Sequence, residues 1–262
     1  MAKHNVLTFF GSAAGFPTEK RPRTTAIGLW RSGSLYLFDA GEGVTAEFPK
    51  RGLSTETLRS VFVTHTHADH TGGLPMLVQW HQLNQRNAPL TFHLPAEEVA
   101  LFQQTLSLFY KFPADLGFDF QVRPVQAGPV YRDDELSVEA VPNRHLAPAA
   151  ERLRQMGIDR ECQSFSYRVE FENRKLLFSG DLAGPGEAAD RVDGIDLAVI
   201  ELAHFEAEDL GAALRGTGLP RLIVTHINDD FEPFEEDIPD RIRAAGFEGE
   251  VRVARDGDEV AV

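Results

Sequence analysis

Thr64-His65-Thr66-His67-Ala68-Asp69-His70-Thr71-Gly72-Gly73 places three imidazoles and one carboxylate within six consecutive residues. They follow directly on the apolar run Ser60–Thr64, which has the composition of a buried strand. His65 and His67 alternate, so on extended backbone both rings leave the chain on the same side. Asp69 and His70 come at the turn into the next helix and can face the same hollow from the other side. The chain has nine histidines, and the clustering of three of them here is not what a merely solvated loop would produce. Neutral imidazole and carboxylate suit Zn²⁺, and also iron or manganese. Four ligands from one strand end and one helix start can serve two ions rather than one.

Outward from this stretch, short apolar strands alternate with amphipathic helices, the pattern of an α/β (α+β) chain. Strands are expected at Val6–Phe10, Thr25–Trp30, Ser34–Phe38, Ser60–Thr64, Leu90–His93 and Phe118–Pro124. Further strands are expected at Leu136–Val141, Phe165–Phe171, Lys175–Phe178, Leu197–Ile200, Leu222–Thr225 and Val251–Ala254. Helices are expected at Glu42–Phe48, Gly73–Asn84, Ala96–Phe109, Glu206–Leu214 and Pro239–Ala245. Pro49 should close the first helix, because proline disfavours helical backbone in the residue before it. Pro239 suits the first position of the last one. No linker or low-complexity segment interrupts the pattern, so one domain over residues 1–262 is expected.

Two pairs of stretches echo one another. Val61-Phe62-Val63-Thr64-His65 resembles Leu222-Ile223-Val224-Thr225-His226, and Leu37-Phe38-Asp39-Ala40-Gly41 resembles Leu177-Phe178-Ser179-Gly180-Asp181. They suggest two similar halves delivering polar residues from strand ends, where α/β sheets place ligands.

Composition narrows the chemistry. Lys plus Arg number 26 against 40 Asp plus Glu, a net charge of −14 that repels a long phosphate backbone. The nearest basic concentration, Lys20-Arg21-Pro22-Arg23, is small. Cys162 is the only cysteine, which excludes an intrachain disulfide and a thiolate-based metal cluster. No apolar run approaches the roughly 18 residues of a membrane span. The start of the chain shows no signal-peptide pattern, so a cytoplasmic protein is expected.

His65-x-His67-x-Asp69-His70 resembles the defining motif of the metallo-β-lactamase superfamily. Phe10-Gly11-Ser12-Ala13-Ala14-Gly15-Phe16-Pro17, Arg23, Leu37-Phe38-Asp39-Ala40-Gly41-Glu42-Gly43, Gly73-Leu74-Pro75 and Ala254-Arg255-Asp256-Gly257 resemble its ribonuclease Z branch. The likeness runs over nearly the whole chain. It implies a four-layer αββα sandwich and two divalent ions, zinc first, with manganese or iron as alternatives. Three further ligands are implied: His145 after the strand Leu136–Val141, Asp181 in Phe178-Ser179-Gly180-Asp181, and His226 in Val224-Thr225-His226. One ion would take His65, His67 and His145, the other Asp69, His70 and His226, with Asp181 bridging. Leu146–Arg160 reads as an insertion able to displace His145.

The same resemblance matches Glu201 to a glutamate of a proton network. On this reading Glu201 orients a ligand and the nearby His204 touches substrate. His4, His81 and His93 are read as surface or core residues. The implied reaction is attack by a hydroxide shared between the ions, with Asp69 accepting or orienting its proton and the cations stabilising the anionic transition state.

Phosphodiesters are the implied substrates, but two departures point to small or cyclic ones rather than long nucleic acid. The interval from His145 to Asp181 is too short for the branch's tRNA-gripping arm, and Ile227-Asn228-Asp229-Asp230-Phe231 is acidic where the branch has a Ser-x-Arg-Tyr-like run. Alternatives are hydrolysis of a lactone, ester or thioester at the same site, ribonuclease Z-type cleavage of RNA, and ligand binding without catalysis. Phe109, Tyr110, Phe112, Phe118 and Phe120 read as core by default and otherwise as a lid or partner surface. A homodimer is implied by family likeness alone.

Overall fold

In the computed structural model, which describes residues 5–228 and 235–262, the chain divides into two units. Residues up to Val125 together with Arg255–Val262 form the first; Gln126–Ala254 form the second. In chain order the first unit contains β1 (Val6–Gly11), β2 (Ala26–Arg31), β3 (Ser34–Phe38), α1 (Val44–Lys50) and β4 (Leu58–Phe62). It continues with α2 (Ala68–Thr71), α3 (Leu74–Leu83), β5 (Leu90–Pro95), α4 (Val99–Leu108) and β6 (Phe120–Val125). The second holds β7 (Gly128–Arg132), β8 (Ser137–Pro142), α5 (Ala147–Gln155), β9 (Phe165–Phe171), β10 (Arg174–Phe178) and α6 (Pro185–Ala189). It ends with β11 (Leu197–Glu201), α7 (Ala207–Ala213), β12 (Arg221–Thr225), α8 (Ile238–Ala244) and β13 (Glu250–Val253), after which β14 (Glu259–Ala261) returns to the first unit.

Each unit is built on one mixed seven-stranded sheet, ordered β14-β1-β2-β3-β4-β5-β6 in the first and β13-β12-β11-β10-β9-β8-β7 in the second. In the first, the period-two residues Leu35, Leu37, Leu90 and Phe92 pack with Val44 and Phe48 of α1, Leu74, Leu77 and Val78 of α3 and Leu106 of α4. In the second, Leu177, Ala198, Ile200, Leu222 and Val224 pack with Leu210 of α7 and with Ile238 and Ile242 of α8. Full burial of each such large aliphatic or aromatic side chain contributes about 1.5–3 kcal/mol.

The two sheets share one pairing pattern. From β14 through β3 every pairing is antiparallel, and from β3 through β6 every pairing is parallel. From β7 through β10 every pairing is antiparallel, and from β10 through β13 every pairing is parallel. By position β3 therefore corresponds to β10 and β4 to β11. The echo between Leu37–Gly41 and Leu177–Asp181 falls on equivalent strand ends. The Thr-His echo does not, because His65 follows β4 while His226 follows β12, one strand beyond the equivalent.

Other sequence expectations need correction. Pro49 lies inside α1, which runs on to Lys50. Proline in the last turn keeps its carbonyl as an acceptor, and Gly52, with φ at +63°, donates its N–H to that carbonyl as it takes the chain out of the helix. The expected helix Ala96–Phe109 begins as a 3₁₀ turn, Ala96–Glu98, before α4. Strands β7 and β14 and helices α2, α5 and α6 were not foreseen, so Asp69 and His70 lie within a short helix rather than in a turn before one. Gly128-Pro129 hides an edge strand, and α5 buries none of its residues. Phe118 and Phe120 are core residues, whereas Phe109, Tyr110 and Phe112 are exposed. His81 and His93 are buried, His4 lies outside the described residues, and so do Asp229, Asp230 and Phe231. No helix among the described residues is long and apolar enough to cross a membrane.

Candidate metal centre

In the first unit the end of β3 organises the histidine motif. Asp39 adopts φ of +58°, a left-handed conformation that a short polar side chain tolerates. Its Oδ1 accepts the Thr64 amide at 2.8 Å, and its Oδ2 accepts the Thr64 hydroxyl and pairs with His70 Nδ1, each at 2.8 Å. Thr64 Oγ1 in turn lies 3.0 Å from His65 Nδ1. With Nδ1 donating on both rings, the lone pair of each sits on Nε2. His65 Nε2 is 3.0 Å from His67 Nδ1, and His70 Nε2 is 3.7 Å from Asp69 Oδ2.

Asp69 is aimed by a loop that sequence motifs far apart hold in place. Gly15 donates its amide to Asp69 Oδ2 at 2.8 Å. The loop carrying Gly15 is clamped by Asp256, which accepts the Ser12 amide at 2.8 Å, the Ser12 hydroxyl at 2.7 Å and the Arg23 amide at 3.0 Å. Gly41 admits no side chain, because a Cβ there would stand 2.3 Å from the Asp69 carbonyl oxygen. Ala40 N–H bonds the His70 carbonyl at 2.7 Å. The turn after β3 thus fixes both the backbone and the rings of the histidine motif.

In the second unit three histidines surround Asp181, which is 3% exposed as a side chain. Its two oxygens are divided between them: Oδ1 lies 3.3 Å from His226 Nε2, and Oδ2 lies 3.6 Å from His145 Nε2. The Leu146–Arg160 insertion, which includes α5, does not displace His145 from this cluster. His204 Nε2 lies 4.0 Å from Asp181 Oδ2, and its ring packs against His145 at 4.8 Å between centroids. Glu201 holds His204 by accepting from Nδ1 at 3.0 Å, and it also accepts the amides of Leu182 at 3.1 Å and Ala203 at 2.6 Å. His226 has φ of +52°, a strained backbone for a histidine that persists only where the surroundings hold it.

The donor sets fit divalent ions. Two nitrogen ligands about 2.05 Å from one tetrahedral zinc stand about 3.4 Å apart, close to the His65–His67 and His226–Asp181 spacings. The Asp39–His70 contact is the carboxylate–histidine pair that fixes the tautomer of metal-binding imidazoles. The donors are all imidazole and carboxylate, matching zinc, manganese or iron.

Sequence reasoning named His65, His67, Asp69 and His70, which the first unit brings together, and His145, Asp181, His226, His204 and Glu201, which the second brings together. It missed Asp39, although the stretch containing it had been singled out. Asp39→Asn should weaken zinc affinity roughly 10–100-fold. The asparagine nitrogen cannot accept from both Thr64 and His70. Competition against a chromogenic chelator measures this, and unchanged affinity would show that Asp39 does not orient the rings.

Residues 35–227 match the family described as the β-lactamase superfamily domain. A ribonuclease Z from Methanothermobacter thermautotrophicus is 31% identical over 87% of this chain and 88% of its own length. One from Haloarcula marismortui is 26% identical over 97% of this chain and 95% of its own length. Among solved structures, the metallo-β-lactamase fold protein YhfI from Bacillus subtilis superposes with a TM-score of 0.76 at 16% identity, covering 97% of this chain and 98% of that one. The chain belongs to the metallo-β-lactamase superfamily. Within it, the chain is a metal-dependent hydrolase of the ribonuclease Z-like branch.

Proposed function

We propose that the chain acts as one hydrolase domain that cleaves phosphodiesters with two divalent ions, zinc first. His65, His67 and His145 would hold one ion and Asp69, His70 and His226 the other, with Asp181 bridging. The observation that carries this reading is the division of the Asp181 oxygens, one toward His226 and one toward His145, as a bridging carboxylate requires. When bound, the ions supply an acidified water and positive charge against the anionic transition state.

The protein's own groups do the rest. Asp69, oriented by the Gly15 amide, accepts or steers a proton from the nucleophile. His204 acts from its imidazolium form: Glu201 holds the Nδ1 proton while Nε2–H, on the Asp181 side of the ring, gives its proton to the leaving oxygen and leaves a neutral ring protonated on Nδ1. The His204 side chain is 37% exposed, as a group that meets substrate must be.

A small or cyclic phosphodiester is favoured over a long RNA by the net charge of −14 and by the short interval from His145 to Asp181, whose one helix is α5. The ribonuclease Z relatives keep RNA cleavage as the second reading. The cytoplasm is the proposed location. The exposed apolar residues Leu101 and Leu108 of α4, with Tyr110, are where a homodimer would meet.

The test is a screen of the zinc- or manganese-reconstituted protein on bis-p-nitrophenyl phosphate, a cyclic phosphodiester, a precursor tRNA, a lactone and a thioester. Turnover of the phosphodiesters is expected, and turnover of the lactone or thioester alone would reassign the site. His204→Ala should lower kcat roughly 10²-fold on an alkyl phosphodiester. The loss should be smaller on the nitrophenyl ester, whose leaving group needs little protonation. Equal, unchanged rates on both would remove His204 from the reaction.

A further inference from the structure

In the second unit the loop carrying His145 follows β8 and the loop carrying Asp181 follows β10, and these strands are not neighbours. With β9 between them, the two strand axes stand about 9–10 Å apart. The sheet's own hydrogen bonds do not tie the loops beyond the strand ends to each other. One side chain does. Glu187 on α6, 5% exposed, accepts the Arg144 amide on Oε1 at 3.1 Å and the Ala183 amide on Oε2 at 2.9 Å. Arg144 immediately precedes His145, and Ala183 lies two residues after Asp181.

The carboxylate is itself held. Arg191 NH2 lies 3.6 Å from Glu187 Oε1 and donates to the Pro142 carbonyl, at the end of β8, at 2.7 Å. Arg144 Nε adds a bond to Oε1 at 3.2 Å. Such a buried ion pair is weak evidence for stability, because desolvation offsets much of the Coulombic gain. Its distinctive consequence here is geometric. Glu201 grips the Asp181 loop through the Leu182 amide, and Glu187 grips it through the next amide, that of Ala183.

We propose that Glu187 is a positioning residue that fixes His145 and Asp181 relative to one another, an inference that rests on their reading as metal ligands. Metal-free wild type, Glu187→Gln, the double variant Glu187→Gln/Arg191→Met and a core control, Leu210→Ala, are titrated with Zn²⁺ against a chromogenic chelator. The double variant guards against misfolding, because it removes both buried charges together. Amide exchange at Arg144 and Ala183 is followed in the same metal-free samples.

Both Glu187 variants should bind zinc roughly 10–100-fold more weakly. Both should also exchange the two amides faster, while Leu210→Ala keeps wild-type affinity at a temperature where it is folded. Wild-type affinity in the Glu187 variants, or an equal loss in Leu210→Ala, would overturn the proposal. Failure of the wild type to bind zinc would instead sink the metal reading. The exchange data then judge the tie separately, and unchanged exchange in Glu187→Gln overturns it.

Discussion

Asp181→Ala is expected to lower kcat/KM on a phosphodiester by roughly a thousandfold or more, about 4 kcal/mol of transition-state stabilisation. The size of the effect follows from the division of its oxygens, since Oδ1 approaches His226 at 3.3 Å and Oδ2 approaches His145 at 3.6 Å. On the proposed bridging role, alanine removes a ligand from both ions at once. Asp181→Asn removes one, because its amide nitrogen is a donor and cannot ligate a cation. Elemental analysis should therefore give close to two ions per chain in the wild type, about one in Asp181→Asn, and less than one in Asp181→Ala. An alanine variant that keeps two ions and near-normal turnover would show that Asp181 bridges nothing. The asparagine variant separates this from general loosening of the loop, because the amides of Leu182 and Ala183 remain held by Glu201 and Glu187.

The strands and the metal motif were readable because their signals are local. Ser34–Phe38 and Phe165–Phe171 occupy the expected bounds, and the spacing of His65, His67, Asp69 and His70 declares a ligand set within one turn of chain. What escaped is non-local. Asp39 reaches His70 across 31 residues, and Glu187 joins Arg144 to Ala183 across the width of β9. An aspartate after a strand reads as a turn residue, and Gly184-Pro185-Gly186-Glu187 reads as a loop with nothing to mark its carboxylate. The Thr-His echo misled for a related reason. A buried strand ending in Thr-His looks the same wherever it sits, whereas its place in the sheet is set by pairing with neighbours that are distant in sequence.

Acid sensitivity is expected to come partly from the first unit's core. His81 on α3 is fully buried, its ring lying edge-on to Phe48 at 6.2 Å and to Phe118 at 6.3 Å. Neither ring nitrogen has a hydrogen-bond partner among the described residues. Burial, helped by the Arg86 guanidinium, pushes its pKa from 6.5 down to about 3, and burial of His93 with Arg123 nearby pushes that one to about 4. Both are lowered bases, so between about pH 6.5 and those folded values the unfolded chain binds more protons than the folded one. Stability is then full above about pH 6.5 and falls as pH drops toward 4, by up to about 1.4 kcal/mol per pH unit for each histidine. His81→Leu, of similar volume, removes an unsatisfied polar ring. It should gain about 1–3 kcal/mol at pH 7, or some 2–4 °C in Tm per kcal/mol. It should also remove the His81 share of the slope below pH 6.5. Calorimetry of the metal-free protein at pH 7.5, 6 and 5 isolates that share, since the ligand histidines contribute equally to both proteins. A leucine variant that is less stable at pH 7, with an unaltered slope, would mean that the His81 ring is satisfied in solution and that its burial is not what makes the fold sensitive to acid.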